Sequence, residues 1–124
     1  MSSIVSLKSV VKTYQLGETT VQALRGLNLE IEKGEFTALI GQSGSGKSKL
    51  LNMVGCIDLP SQGEVYFENQ NVIQLSESRR SELRNHKIGF IFQSFNLIPV
   101  LTVYENIELP LIIRTDVSPK MREQ

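Results

Sequence analysis

The chain begins with apolar residues set among polar ones. Ile4, Leu7, Val10 and Val11 mark a strand over residues 4–14, with Tyr14 near its end. Gly17-Glu18-Thr19-Thr20 predicts a polar turn. From Leu27 the pattern alternates, with Leu27, Leu29 and Ile31 on one face and Asn28, Glu30 and Glu32 on the other. Period-2 alternation is the signature of a strand with one buried face. Lys33-Gly34 turns the chain into Phe36-Thr37-Ala38-Leu39-Ile40, a continuous apolar run. Such runs suit parallel strands covered on both faces. A second run, Ile88-Gly89-Phe90-Ile91-Phe92, has the same character. Between them, Leu50, Leu51 and Val54 predict the buried face of a helix ended by Gly55. Pro60-Ser61-Gln62-Gly63 predicts a turn, Glu64–Glu68 a short strand, and Asn69-Gln70-Asn71 a further turn. Ser76 is placed to cap a polar helix from Glu77 to Asn85. After a loop containing Pro99, Thr102-Val103-Tyr104-Glu105 reads as a capping box opening a last helix, with Val103, Ile107 and Leu111 as its apolar sites. Pro110 should kink or end that helix, because proline has no N–H for the helical ladder. Strands alternating with helices place the chain in the α/β class. The expected arrangement is an antiparallel layer beside an incomplete parallel core of strands 36–40 and 88–92.

The chemistry concentrates where the first apolar run ends. Gly41-Gln42-Ser43-Gly44-Ser45-Gly46-Lys47-Ser48 fits G-x-x-x-x-G-K-[ST], the phosphate-binding loop of nucleotide triphosphatases. That motif needs a strand before it and a helix after it, and both are expected here. Gly41, Gly44 and Gly46 allow backbone conformations that a Cβ would forbid. Their amides, with those of Ser43 and Ser45, can converge as a nest for phosphate oxygens. The following helix turns its unpaired N–H groups and positive dipole end to the same anion. Lys47 is a mobile charge for the β- and γ-phosphates, and the Ser48 hydroxyl is the expected Mg²⁺ ligand. The plainer alternative is a Gly/Ser-rich turn that only joins strand to helix.

Composition narrows the class without changing this picture. With 124 residues, 40% hydrophobic and 21% charged, the chain has the size and make-up of one globular domain. Zero formal net charge implies no general attraction to nucleic acid or acidic membranes. The single Cys56 excludes an internal disulfide, suits a reducing compartment, and reads as a small core residue. The start of the chain lacks the apolar run of a signal peptide, and no stretch approaches a membrane span. Any membrane role is therefore expected to run through a partner. Arg79, Arg80, Arg84 and Lys87 alternate with Glu77 and Glu82, as on a solvated helix face. His86, the only histidine, has no carboxylate or cysteine company that would make a metal site. Gln93 leaves the second apolar run; by residue type it is a surface glutamine or a ligand to Mg²⁺ or a nearby water. Tyr14 is by type a strand residue or a stacking platform for a flat base.

Taken in this order, the pieces resemble the ATP-binding subunit of ABC transporters, in its macrolide-export and lipoprotein-release (MacB/LolD-like) branch. The residues carrying the likeness are Tyr14-Gln15-Leu16-Gly17-Glu18, Ala23-Leu24-Arg25-Gly26-Leu27, Leu50-Leu51-Asn52-Met53-Val54-Gly55, Lys87–Gln93 with Asn96-Leu97-Ile98-Pro99, and Asn106–Leu111. The likeness extends over essentially the whole chain but matches only the amino-terminal part of such a subunit. It implies that Tyr14 is the adenine-stacking aromatic, and that Gln93 is the glutamine that contacts Mg²⁺ where the catalytic core couples to the transmembrane subunit. ATP and Mg²⁺ are the implied cofactors. The implied partners are a transmembrane permease and, given a full domain, a second nucleotide-binding subunit, on the cytoplasmic face of the membrane.

Two departures stand out. Where the family usually carries threonine, this chain has Lys49, losing a hydroxyl for the α-phosphate and gaining a cation. The family's signature motif, Walker B acidic pair and switch histidine have no counterpart in residues 1–124. The expectation is a truncated subunit that binds Mg-ATP without a catalytic residue and so does not hydrolyse it alone. The rival readings are a non-catalytic interaction module that docks on a permease or full-length subunit, and an unrelated P-loop kinase or GTPase.

Overall fold

The computed structural model describes residues 2–124 as two compact units, the first reaching Arg80 and the second starting at Ser81. The first is built on a four-stranded antiparallel sheet in the order β2-β1-β3-β4. Strands β1 (Ser3–Leu16) and β2 (Thr19–Glu32) form a long hairpin, paired from Ser3↔Glu32 to Leu16↔Thr19. Its turn is only Gly17-Glu18, and the expected turn residues Thr19 and Thr20 belong to β2. Gly17 takes a φ of 63°, the left-handed geometry that two-residue hairpin turns require. The alternation predicted from Leu27 holds, with Leu27, Leu29 and Ile31 half-buried and Asn28, Glu30 and Glu32 exposed.

On the other side of β1 lies β3 (Gln62–Phe67), in register through Val5↔Phe67 and Leu7↔Val65. It starts two residues earlier than its alternation suggests. Glu68 and Asn69, both with positive φ, then turn the chain into the two-residue β4 (Gln70–Asn71). A 3₁₀ turn, Val72–Gln74, follows under an Asn71 side-chain cap. Val5, Leu7, Val10, Val65, Phe67 and Val72 form the buried face of this layer. Helix α1 (Lys47–Val54) contributes Leu50 and Met53 to the buried core, with Cys56 beyond its end. Leu51, expected inside, is 54% exposed. Residues 50 and 53 share one side of a helix, whereas Leu51 is turned about 100° away from Leu50. Gly55 ends the helix as expected, yet the left-handed residue is Cys56, at a φ of 56°.

The parallel core is where expectation and structure part. Neither 36–40 nor 88–92 forms a ladder among the described residues, and both runs are largely exposed. Phe36 is 99% exposed and Ile91 is 102% exposed. An apolar run becomes a strand only when neighbouring strands accept its backbone hydrogen bonds. The antiparallel layer has such neighbours within this chain, and these two runs have none.

Helix α2 (Glu77–Lys87) carries the chain from the first unit to the second. The Ser76 hydroxyl accepts from the Arg79 amide at 3.3 Å, as its capping role requires, and the helix runs two residues past Asn85. In the second unit α3 (Val103–Ile112) begins at a complete capping box. Glu105 N–H donates to the Thr102 hydroxyl at 3.2 Å, and Thr102 N–H donates to the Glu105 carboxylate at 2.7 Å. Pro110 neither ends nor caps this helix, which continues to Ile112. One missing N–H so near the carboxyl end removes a single ladder bond. Asn106 ties the preceding loop to α3, its amide accepting from Ile98 N–H at 2.8 Å and donating to the carbonyls of Ile98, Leu101 and Thr102. Helix α4 (Pro119–Arg122) is capped by Ser118.

Candidate functional site

The Gly41–Ser48 loop sits between the unpaired run 36–40 and α1. Gly44 and Gly46 have φ of 80° and 96°, so the loop turns where the sequence places glycine. Gly46 is also fixed by space. A Cβ there would lie 2.8 Å from the Ala23 carbonyl oxygen on β2, so the loop rests against the hairpin backbone at this point. A Cβ on Gly41 would lie 2.7 Å from the Ser45 hydroxyl. These are the close approaches that a tight anion loop needs.

Gly46 is also the N-cap of α1, and no side chain caps the helix. The contrast with α3, α4 and the 3₁₀ turn is informative, since each of those begins under a Thr, Ser or Asn side chain. An uncapped first turn leaves amide donors and the positive dipole end for an external anion. Lys47 folds back over the loop. Its ammonium donates to Gly41 O at 2.5 Å, Gln42 O at 2.7 Å and the Ser45 hydroxyl at 3.3 Å. All three acceptors are neutral, and among the described residues Lys47 makes no ion pair. Its charge is thus held at the loop without being neutralised. The Ser48 side chain is exposed on the first turn.

Around Tyr14 lies a cluster that the sequence reading missed. The phenol donates to Asp58 Oδ2 at 2.8 Å, and Lys12 Nζ reaches Asp58 Oδ1 at 2.8 Å and Leu59 O at 2.7 Å. Leu59 N–H completes the carboxylate's partners at 2.9 Å. Burial, then the Asp58 carboxylate that holds its proton, pushes the Tyr14 phenol up to about 12. Burial works to raise the Asp58 carboxyl, but hydrogen bonds from Lys12, Tyr14 and the Leu59 amide outweigh it and leave the group below its ordinary range. The Lys49 ammonium lies 4.6 Å from the Tyr14 ring centroid and that of Lys12 lies 5.1 Å away. Lys12 was legible in one respect, because it shares a strand face with Tyr14 two residues on. Asp58 was not, since only folding brings the segment after α1 beneath β1.

Tyr14, the loop and Lys49 therefore belong to one unit, and the structure joins Lys49 to Tyr14. Gln93 lies in the second unit, exposed on the bend that leaves 88–92. His86 also lies there, with Nδ1 at 3.0 Å from Glu82 O and Nε2 at 3.6 Å from Asp116. Among the described residues no three His, Cys, Asp or Glu side chains gather as a metal cluster, and no helix is long and apolar enough to cross a membrane.

Residues 24–124 match the family profile described as ABC transporter. The chain belongs to the ABC transporter family. Among its relatives, the uncharacterized ABC transporter ATP-binding protein MJ0796 of Methanocaldococcus jannaschii is 50% identical over 111 residues, covering 90% of this chain and 47% of that protein. The macrolide export ATP-binding/permease protein MacB of Syntrophobacter fumaroxidans is 47% identical, covering 87% of this chain and 15% of the relative. The lipoprotein-releasing system ATP-binding protein LolD of Geobacter metallireducens is 42% identical, covering 99% and 56%. In structure the chain is similar to the dimeric ATP-binding cassette MJ0796 bound to ADP and Pi, with a TM-score of 0.87 over 95% of this chain and 52% of that one. The fold is therefore the α/β fold of ABC cassettes, and the MacB/LolD likeness holds. An unrelated kinase or GTPase is set aside. This ABC-family chain spans about half the length of the ATP-binding proteins MJ0796 and LolD that it matches.

Proposed function

We propose that this chain supplies the Mg-ATP-binding portion of an exporter-type ABC ATP-binding subunit, with residues 41–48 as the polyphosphate cradle. The observation that carries this reading is the uncapped start of α1 beneath an un-neutralised Lys47. The residues present fit the ligand. Amides of Ser43, Gly44 and Gly46 and of the first turn of α1 are the anion donors; the Ser45 N–H, which donates to the Gln42 carbonyl at 3.2 Å, joins them only by exchanging that bond. Lys47 exchanges neutral carbonyl acceptors for anionic phosphate oxygens, which adds charge–charge attraction to bonds its ammonium already makes charge-assisted. The Ser48 hydroxyl would hold Mg²⁺, and the Tyr14 ring would take the adenine; for Gln93, in the second unit, the family likeness alone supports a Mg²⁺ role. Bound Mg-ATP supplies the phosphoanhydride that the complete cassette would cleave. We assign no catalytic residue within this chain. The family and the dimeric relative support a permease and a second ATP-binding subunit as partners, which would place the protein at the cytoplasmic face of a membrane.

The test is calorimetric titration of the 124-residue chain with Mg-ATP. Saturable binding is expected for the wild type, with at least tenfold weaker binding in Lys47→Ala, the loss of about one charge-assisted bond. Equal affinity in the two would sink the reading.

One observation favours a second reading, a non-catalytic module that docks on a permease or a full-length subunit. Phe36, Ile40, Ile91 and Phe95 are each more than nine-tenths exposed. Co-purification with such a partner, by a chain with no Mg-ATP affinity, would favour it.

A further inference from the structure

The Lys49 side chain has no role in the cradle described above, yet it touches the ring assigned to the base. Its Nζ lies 4.6 Å from the Tyr14 centroid, within the range of cation–π attraction. The two ammonium groups near this ring differ in freedom. Lys12 is tied to Asp58 and to the Leu59 carbonyl. Lys49 is exposed and, among the described residues, makes no hydrogen bond or ion pair. It stands in the first turn of α1, two residues after Lys47, on the uncapped end of the helix. A lysine stem has four flexible carbons, so one ammonium can reach either the ring or an anion at the helix start.

We propose that Lys49 sets the balance between base and phosphate recognition: its ammonium covers the Tyr14 ring until a polyphosphate draws it away. The inference rests on the nucleotide-binding reading above and deepens it. A base seated on Tyr14 must displace a cation that the ring already attracts, so stacking contributes less than at an uncovered ring. The displaced charge then adds to phosphate binding. Relative to a neutral residue at this position, Lys49 shifts selectivity from the base toward the polyphosphate.

The discriminating quantity is the dissociation constant for adenosine, a base without phosphates, set beside that for Mg-tripolyphosphate, both measured on the full chain by calorimetry. Lys49→Gln keeps a polar side chain and removes the charge. It should tighten adenosine about 2–5-fold, the size of an exposed cation–π contact, and weaken tripolyphosphate. Lys49→Arg should restore the wild-type affinities. In a Tyr14→Leu background the same Lys49→Gln change should leave adenosine unmoved, because no ring remains to be uncovered. Unchanged adenosine affinity in Lys49→Gln, or a gain that persists with Tyr14→Leu, overturns the proposal while leaving the cradle intact. Failure of the wild type to bind Mg-tripolyphosphate overturns the cradle and this proposal together.

Discussion

Asp58 offers the sharpest test of how the Tyr14 platform is held. Replacing it with asparagine preserves shape and removes the charge that Lys12 and Tyr14 share. The carboxylate accepts from three donors at 2.8, 2.8 and 2.9 Å, two of them side chains on β1. A hydrogen bond to a charged group contributes about 1.5–3 kcal/mol. Here the Lys12 and Asp58 side chains are 15% and 31% exposed, so solvent screening trims the ion-pair part. Lys12 also keeps its bond to Leu59 O, so no buried charge is stranded. The net loss should be about 1–2 kcal/mol. For a folding unit of roughly this size each kcal/mol lowers Tm by about 4–8 °C. The phenol should respond as well. Its raised pKa favours the folded state fully below pH 10, and that contribution is lost as pH climbs through about 12. Asp58→Asn should bring Tyr14 part of the way back to 10, burial supplying what remains. Ultraviolet tyrosinate titration reads this directly, with Tyr14→Phe identifying the signal against Tyr66 and Tyr104. A double-mutant cycle of Tyr14→Phe and Asp58→Asn, followed by thermal melts, reads the coupling. Additivity within about 0.3 kcal/mol, together with an unmoved titration, would refute the idea that Asp58 anchors the ring.

Three further outcomes follow from the geometry. Gly46→Ala should cost about 1–3 kcal/mol and weaken Mg-ATP binding, because its φ is 96° and the new Cβ meets the Ala23 carbonyl. Gly44→Ala, with φ 80° and nothing within 4 Å, should cost less in the same melts, and equal losses would contradict the close approach. Thr102→Ala should destabilise the start of α3 by about 0.5–2 kcal/mol, seen as faster amide exchange confined to residues 103–106. In the second unit, the Arg114 guanidinium draws the Asp116 carboxyl down to about 2, against the opposing effect of burial. A lowered carboxyl pKa stabilises the fold above the unfolded value, and the contribution is lost as pH falls from about 4 through 2. Carboxyl NMR titration should place Asp116 near 2 and, in Arg114→Gln, near its ordinary value; no difference would remove the pairing.

Local periodicity and local chemistry determined a good part of this protein from sequence. Strand β1, the half of β2 from Leu27 onward, β3, the Ser76 and Thr102 caps and the phosphate-type loop were all legible, because each depends on residues within a few positions of one another. Gly44 and Gly46 stand where positive φ is needed, and the motif itself states the spacing from Gly41 to Ser48. The errors have the same origin. Leu51 and Met53 are equally apolar in the chain, and only the docking direction of α1 decides which is buried. Pro110 was expected to kink or end its helix because its missing N–H is a local fact; the helix runs on to Ile112, and nearness to the helix end makes the loss small.

Long-range geometry decided the rest. Runs 36–40 and 88–92 have the composition of strands, but a strand is completed by hydrogen bonds to another segment, and composition cannot say whether that segment is present. Asp58 lies 44 residues from Tyr14 along the chain, so no pattern joins them until β1 packs over the segment that follows α1. Lys49 read as an irregularity in a motif; the fold made it a cation over an aromatic ring. Sequence alone determined that a phosphate cradle can form, because backbone turns and helix starts are local. Tertiary structure decided which side chains surround it, because contacts between distant segments follow from packing and not from spacing along the chain.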